Sequence, residues 1–487
     1  MLFEPLFAHA GRQPQATAIT DDSGRYTYQQ LAAMAAGLGM YLSMQTRQPR
    51  VGLLLPAGAG FVASFYGTLL AGKTAVPINF LLGDHEIAHI IKDSGVDTVV
   101  TIPLLAGRLK DQRLNVIDLL ALPRTPPAIT PKFPSPAADD VAVLLYTSGT
   151  SGLPKGVVLT YGNFQSDVDL AISYAHFQHQ HRFLGVIPLF HSFGIMAMML
   201  APIQLGAEIV YMARFSPTGT LKAIREHKAS LMFGTPSMYG AIYRLKDAKP
   251  EDFAHVYALI SGGEPLPATL REAWRQRFNV PLLEGYGLTE TSPAVCLNTP
   301  QVNRPGSVGK PLPGVHFRIT GEDGRELPRN EIGEVWIKGP MVMKGYHNLP
   351  EETAKVLTAD GYFKTGDLGK LDDDGFLYIT GRKKEMIIVS GEKAYPREIE
   401  DVLSRHPSVA EAAVVGKKDP GRGEVVAAFV IAREGQTVKP DELREFSRQQ
   451  GLAQWKVPRE IVVVNDLPRS PTGKVLKREL AAKLEQS

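Results

Sequence analysis

The run Tyr146-Thr147-Ser148-Gly149-Thr150-Ser151-Gly152-Leu153-Pro154-Lys155-Gly156 constrains this chain more than any other stretch. It lies between two apolar, β-branched runs, Val141-Ala142-Val143-Leu144-Leu145 and Val157-Val158-Leu159, which read as buried strands. Glycines let a backbone approach a ligand closely, Ser and Thr donate hydrogen bonds, and Lys155 adds a compact positive charge. An ordinary Gly/Ser-rich surface loop rarely sets Lys155 and four hydroxyls between two such strands. The stretch reads as a loop that wraps a polyphosphate.

It is not the P-loop of kinases and GTPases, because Lys155 is followed by Gly156 instead of Ser or Thr. A formal match to that pattern occurs at Gly67-Thr68-Leu69-Leu70-Ala71-Gly72-Lys73-Thr74. Its context is reversed. A true P-loop follows a strand and opens a helix, whereas Phe61–Tyr66 reads as helix and Ala75-Val76-Pro77-Ile78 as strand. Gly72 is better explained as a helix C-cap.

A hydrophobic fraction of 44% and a charged fraction of 21% over 487 residues are those of a soluble globular chain of two to four domain-sized units. The net charge of +3, with both signs interspersed, gives no nucleic-acid footprint. One cysteine, Cys296, excludes an internal disulfide and fits a reducing, cytoplasmic compartment. The N-terminus lacks the features of a signal peptide. Phe183 to Ala207 is nearly free of charge, but Pro188, His191, Gly194, Pro202 and Gly206 interrupt it, so a buried helix is expected instead of a membrane span.

From Met1 to about Leu120 strands alternate with helices, among them a helix opening at Tyr26-Thr27-Tyr28 and strands at Val51–Pro56, Ala75–Asn79 and Val96–Val100. That alternation predicts an α/β architecture with largely parallel strands. The proline-rich Pro123–Pro136 reads as a connector, and the phosphate loop then opens a second α/β stretch to about Leu283. Short strands at Gly306–Lys310 and Glu334–Gly339 predict a small β-rich unit. After about Arg382 comes an α+β module with strands at Ile387–Val389, Val425–Ile431 and Ile461–Val464 and a helix at Pro396–Leu403.

Further polar loops interrupt apolar runs: Glu284-Gly285-Tyr286-Gly287-Leu288-Thr289-Glu290, Thr365-Gly366-Asp367, Gly381-Arg382-Lys383-Lys384 and Pro471-Thr472-Gly473-Lys474. Glu290 has the chemistry to hold a hard cation together with phosphate oxygens, and Asp367 to accept two ribose hydroxyls. With the phosphate loop, these motifs stand in the order found in the adenylate-forming superfamily of acyl-CoA synthetases, aryl-CoA ligases, luciferases and peptide-synthetase adenylation domains, which the chain resembles over essentially its whole length.

The resemblance implies an adenylation domain over residues 1–381, built of two α/β subdomains and a β-rich subdomain, and a small mobile domain over 382–487. It implies that Thr147, Ser148, Gly149, Thr150, Ser151, Gly152 and Lys155 hold the β- and γ-phosphates of ATP, with Thr150 and Glu290 as magnesium ligands. Gly263-Glu264-Pro265, Tyr286, Gly287 and Thr289 correspond to the adenine wall and its surroundings, Asp367 to the ribose aspartate, and Arg382 to the arginine on ribose and phosphate. Lys474 matches the catalytic lysine, Lys384 the hinge, and Ser390, Gly391, Glu392 and Lys393 the loop facing the thiol. Ser151 for the commoner Thr and Lys384 for the commoner Asp are mild departures. The reaction implied is attack of a carboxylate on ATP, giving acyl-AMP and pyrophosphate, then displacement of AMP by coenzyme A or by the phosphopantetheine arm of a carrier protein. Monomer or homodimer would both serve.

His191 stands where amino-acid-activating relatives carry an aspartate, which disfavours an α-amino acid. Gly287 stands where acetyl-specific relatives carry Trp. With His191 and Gly262 beside it, a slot lined by Phe193, Met196, Met199 and Met238 suits a long apolar tail. A medium- or long-chain fatty acid is the expected substrate, and an aryl acid of the coumarate or benzoate kind is the rival.

Overall fold

The computed structural model describes residues 1–110, 113–122, 134–147, 153–469 and 475–485. By contacts the chain forms two compact units. The first takes in Met1–Gly263, Arg277–His316 and Ile337–Phe363; the second takes in Glu264–Gln276, Phe317–Trp336 and Lys364–Ser487.

The first unit holds two large sheets. The seven-stranded sheet runs in the order Gly345–Tyr346, Lys155–Thr160, Val141–Thr147, Thr74–Pro77, Arg50–Leu54, Thr98–Thr101, Asn115–Asp118. Its strands from Thr74–Pro77 onward pair in parallel, and the helices Tyr28–Gln45, Ala59–Leu70 and Asp84–Ser94 lie between strands in the chain, as the alternation predicted. The rejected P-loop match is indeed helix before strand, with Gly67 inside Ala59–Leu70 and Thr74 opening Thr74–Pro77. A Cβ on Gly67 would meet Leu38 Cβ at 2.7 Å and the Ala35 carbonyl at 3.0 Å. That glycine serves the close crossing of two helices, not a phosphate.

The nine-stranded sheet contains four adjacent parallel strands, Leu282–Gly287, Ala258–Ser261, Leu231–Gly234 and Arg182–Gly185, with Glu208–Tyr211 and Thr17–Asp21 continuing it in parallel. After Arg182–Gly185 the uncharged stretch forms a buried helix: α-helical at Ser192–Ile195, a π-turn at Met196–Leu200, and α-helical again at Ala201–Leu205. π-turns inside helices tend to mark functional positions. Among the described residues no helix is long and apolar enough to cross a membrane.

The second unit carries most of a four-stranded sheet in the order His316–Thr320, Gly333–Lys338, Phe363–Leu371, Leu377–Arg382. The strand expected over Gly306–Lys310 is reduced to Lys310–Pro311, since Gly306 and Gly309 adopt φ of +88° and +97°. Beyond Arg382 a five-stranded sheet forms around Gly423–Ala432, flanked by the long hairpin partner Val409–Asp419 and, in parallel, by Glu460–Val464. Val426, Ala428 and Val430 pack on Ile399, Leu403 and Leu443 on one face; Ala427 and Phe429 pack on Leu467, Leu480 and Leu484 on the other. Both faces are covered, so the strand reads as an unbroken apolar run and not as an alternation. The helix Pro396–Leu403 begins and ends where the sequence placed it.

Candidate active site

In open α/β sheets ligands bind beyond the carboxyl ends of the parallel strands, where successive loops converge. The four adjacent parallel strands of the nine-stranded sheet deliver one group of the sequence-selected residues there. After Arg182–Gly185 come Phe190, His191 and Phe193; after Leu231–Gly234, Met238; after Ala258–Ser261, Gly262 and Gly263; and Leu282–Gly287 ends in Tyr286, Gly287 and the turn Thr289–Thr291. Residues nearly 100 apart in sequence thus meet: Ser192 Oγ donates to Thr289 Oγ1 at 3.5 Å. Phe193 lies edge-on to Phe233, 5.9 Å between centroids, and its ring sits 3.3 Å from where a Cβ on Gly262 would be. Phe193 and Met238 keep part of their surface exposed, whereas Met196 and Met199 lie in the core at 4% and 0% exposure.

His191 caps this helix by position, and its ring lies 5.0 Å from that of Phe190. Its Nε2 is buried and has no partner among the described residues. Burial pushes its pKa from the ordinary 6.5 down to about 4, so the imidazole is neutral near pH 7. Between those values the unfolded chain binds the more protons, so stability rises with pH across that window and is lost as the pH falls through it. Across pH 6.5 to 4, an H191Q variant should lose up to about 3 kcal/mol less stability than wild type. Urea midpoints measured across the pH series test this, and equal slopes for both proteins would contradict it.

The segment expected to bind phosphate is flanked by two antiparallel strands, Val141–Thr147 and Lys155–Thr160, in which Thr147 pairs with Lys155. Ser148, Gly149, Thr150, Ser151 and Gly152, like Lys474, lie outside the described residues. The stem is braced: Tyr146 Oη donates to Asp93 Oδ2 at 2.6 Å, His89 Nε2 to the Pro154 carbonyl at 3.0 Å, and His347 N to the Gly156 carbonyl at 2.7 Å. Lys155 Nζ donates to Glu352 Oε2 at 2.7 Å and lies 5.5 Å from the centre of the Tyr346 ring. Tyr346 Oη in turn donates to Glu290 Oε1 at 2.8 Å, and the Glu290 carbonyl accepts from Met343 N at 2.8 Å. Sequence reasoning passed over Tyr346 and Glu352. Glu352 reads simply as one of the acids usual in a first helical turn, here that of Pro350–Val356.

In the second unit the four-stranded sheet sets two further motifs against each other. Asp367 and Arg382 are cross-strand partners in the pairing of Phe363–Leu371 with Leu377–Arg382, and Arg382 Nε lies 2.9 Å from Asp367 Oδ1. Asp367 is 4% exposed, and its N–H donates to Thr365 Oγ1 at 3.0 Å, while that hydroxyl donates to the Val335 carbonyl at 2.7 Å. An acid and an arginine on adjacent strands of one sheet form a charge-assisted pair with acceptor and donor sides. Lys384 is exposed in the 3₁₀ turn Lys383–Glu385 that follows. Ser390 and Gly391 form the two-residue turn of the hairpin Ile387–Val389/Glu392–Ala394, with φ of +53° and +89°, and Ser390, Gly391, Glu392 and Lys393 are exposed. Gly263 and Pro265 are exposed, and Glu264 is half-buried.

Comparison with known proteins places the chain in a family. The family described as AMP-binding enzyme matches residues 6–347, and the AMP-binding enzyme C-terminal domain matches 398–474. A long-chain-fatty-acid–CoA ligase of Bacillus subtilis is 34% identical, over 97% of this chain and 92% of that protein. A feruloyl-CoA synthase of an Amycolatopsis species is also 34% identical, over 97% and 96%. The crystal structure of ATP-bound MatB from Rhodopseudomonas palustris superposes with a TM-score of 0.92 at 30% identity, covering 99% of this chain and 98% of that one. The chain belongs to the AMP-binding, adenylate-forming superfamily, with its large N-terminal α/β domain and small C-terminal domain, and is an AMP-forming acid–thiol ligase.

Proposed function

We propose that this protein activates a medium- or long-chain fatty acid as acyl-AMP and transfers the acyl group to coenzyme A. The observation that carries the choice of acid is the lining of the strand-end cluster. Phe193, Met238 and Gly262 are apolar or small, and His191 beside them is neutral near pH 7. A cation would be needed there to hold a second carboxylate or a sulfonate, because burying an unpaired charge is costly. An apolar tail needs only surface to cover, at roughly 25 cal/mol per Å² removed from water. The rival acid is aromatic, and the rigid edge-to-face pair Phe193–Phe233 favours it, since a flat ring packs well on such a wall.

In the proposed reaction the carboxylate oxygen attacks the α-phosphorus of ATP, the O–P bond forms, and pyrophosphate leaves. Lys155 and the loop hold the β- and γ-phosphates, Asp367 and Arg382 hold the ribose, and Tyr286 carries the adenine. Lys474 is proposed to neutralise charge that builds on the carboxylate and the α-phosphate as the bond forms. The thiolate then attacks the acyl carbon and AMP leaves. Among the described residues no three His, Cys, Asp or Glu gather to hold a metal by themselves. A magnesium ion arriving with the triphosphate needs only one or two carboxylates besides phosphate oxygens, and Glu290, with Thr150 as its companion, fits that demand. Magnesium would supply charge neutralisation on the phosphates. We assign residues 1–381 to adenylation and 382–487 to a domain that turns about Lys384 between half-reactions, bringing Ser390, Gly391 and Glu392 to the thiol.

The test is one incubation of purified protein with Mg·ATP, coenzyme A and an equimolar ladder of fatty and aryl acids, read by mass spectrometry, with a K474A control. The expected product is a fatty acyl-CoA, reduced about 10²- to 10³-fold in the control. An aroyl-CoA would transfer the reading to aryl acids. Acyl-AMP without thioester would identify a carrier protein as the acceptor, and no product from any acid would overturn the substrate assignment.

A further inference from the structure

We propose that Glu352 is a built-in competitor of the ATP triphosphate: without nucleotide it holds Lys155, and it must release that lysine before the β- and γ-phosphates can take it. The inference rests on the reading of Lys155 as a phosphate-binding residue. Three observations carry it. Lys155 Nζ is bonded to Glu352 Oε2 at 2.7 Å, and the two side chains are only 24% and 34% exposed, so water screens the pair incompletely. Glu352 also has a second cation, Lys355, on its other oxygen at 2.5 Å. Releasing Lys155 therefore does not strand the carboxylate. Finally, the Tyr346 ring lies 5.5 Å from Lys155 Nζ and its hydroxyl donates to Glu290, so one side chain connects the lysine to the proposed metal-binding carboxylate.

When the triphosphate arrives, Lys155 exchanges one carboxylate for several phosphate oxygens, and Glu352 stays with Lys355. The pair that must be broken to free the lysine opposes binding of ATP, and its re-formation favours departure of pyrophosphate. Both effects act only on nucleotides or products that carry the β- and γ-phosphates. AMP should not feel them.

The experiment is calorimetric titration of the full-length chain with Mg·ATP, Mg·pyrophosphate and AMP, in wild type, E352Q, K155M and the double variant. In E352Q the dissociation constants for Mg·ATP and Mg·pyrophosphate should fall about three- to tenfold while that for AMP stays unchanged, the size of a partly screened charge pair. The gain should vanish on the K155M background, since the carboxylate acts through that lysine. E352A serves as a second neutral variant, with the same gain expected. If K155M binds Mg·ATP as tightly as wild type, the phosphate role of Lys155 falls and this inference with it. If K155M binds weakly but E352Q and E352A show no gain, or gain equally for AMP, Glu352 is a structural partner and the inference alone is overturned.

Discussion

Replacing Asp367 with alanine should lower kcat/KM for ATP in adenylate formation by about 10²- to 10⁴-fold, the worth of two hydroxyl hydrogen bonds to a charged acceptor at roughly 1.5–3 kcal/mol each. Asp367 is 4% exposed and held from three directions: Arg382 bonds its carboxylate, Thr365 Oγ1 accepts from its N–H, and strand pairing sets it opposite Arg382. A carboxylate so fixed loses little entropy on binding a diol, the condition under which its hydrogen bonds count most. Substrate analogues separate this role from a purely structural one. If Asp367 accepts the ribose hydroxyls, 2′- and 3′-deoxy-ATP should be poorer substrates for wild type. The D367A variant should scarcely distinguish them from ATP. Equal discrimination in both proteins would dissociate Asp367 from the ribose, leaving it as the support of Arg382.

The second large effect concerns stability. Gly287→Ala should destabilise the first unit by about 3 kcal/mol or more, because the new methyl group would overlap the carbonyl of Pro293. The obstacle is backbone, on the facing side of the antiparallel pair Leu282–Gly287 and Ala294–Leu297, whose register shifts between Tyr286 and Gly287. It cannot swing aside as a side chain could. A matched control is Gly263→Ala: Gly263 has φ +80° but nothing within 4 Å of an added Cβ, so only the conformational cost of about 1–2 kcal/mol applies. Urea midpoints of both variants against wild type test the ordering. A G287A midpoint as high as that of G263A would mean that the Pro293 strand yields easily. Glycine at 287 thus has a reason independent of the acid: the backbone across the hairpin excludes any side chain there.

Asp367 and Gly287 also differ in how far sequence alone could explain them. The motif containing Asp367 was legible because polar residues interrupt a strand-forming run, but its pairing with Arg382 depends on the register of a hairpin closed 15 residues later. Gly287 stood out as a small residue in a suggestive place. Its actual constraint comes from Pro293, and no periodicity in the sequence encodes which backbone atom lies over which Cα.

Taken by itself, the sequence determined whatever depends on local chemistry. It determined the strand–loop–strand frame of the phosphate loop, the helix at Pro396–Leu403, the false P-loop at Gly67, and the ordered motifs that identify the superfamily, because turn residues, helix-start proline and apolar runs act over a few neighbours. Tertiary structure alone decided which charges meet. Lys155 and Glu352 are separated by 197 residues, Tyr346 and Glu290 by 56, and each pair forms only because strands distant in the chain are laid side by side. Hydrogen bonds and ion pairs act over a few ångströms of space and take no account of sequence distance, so a carboxylate that looks like an ordinary first-turn acid ends up holding Lys155.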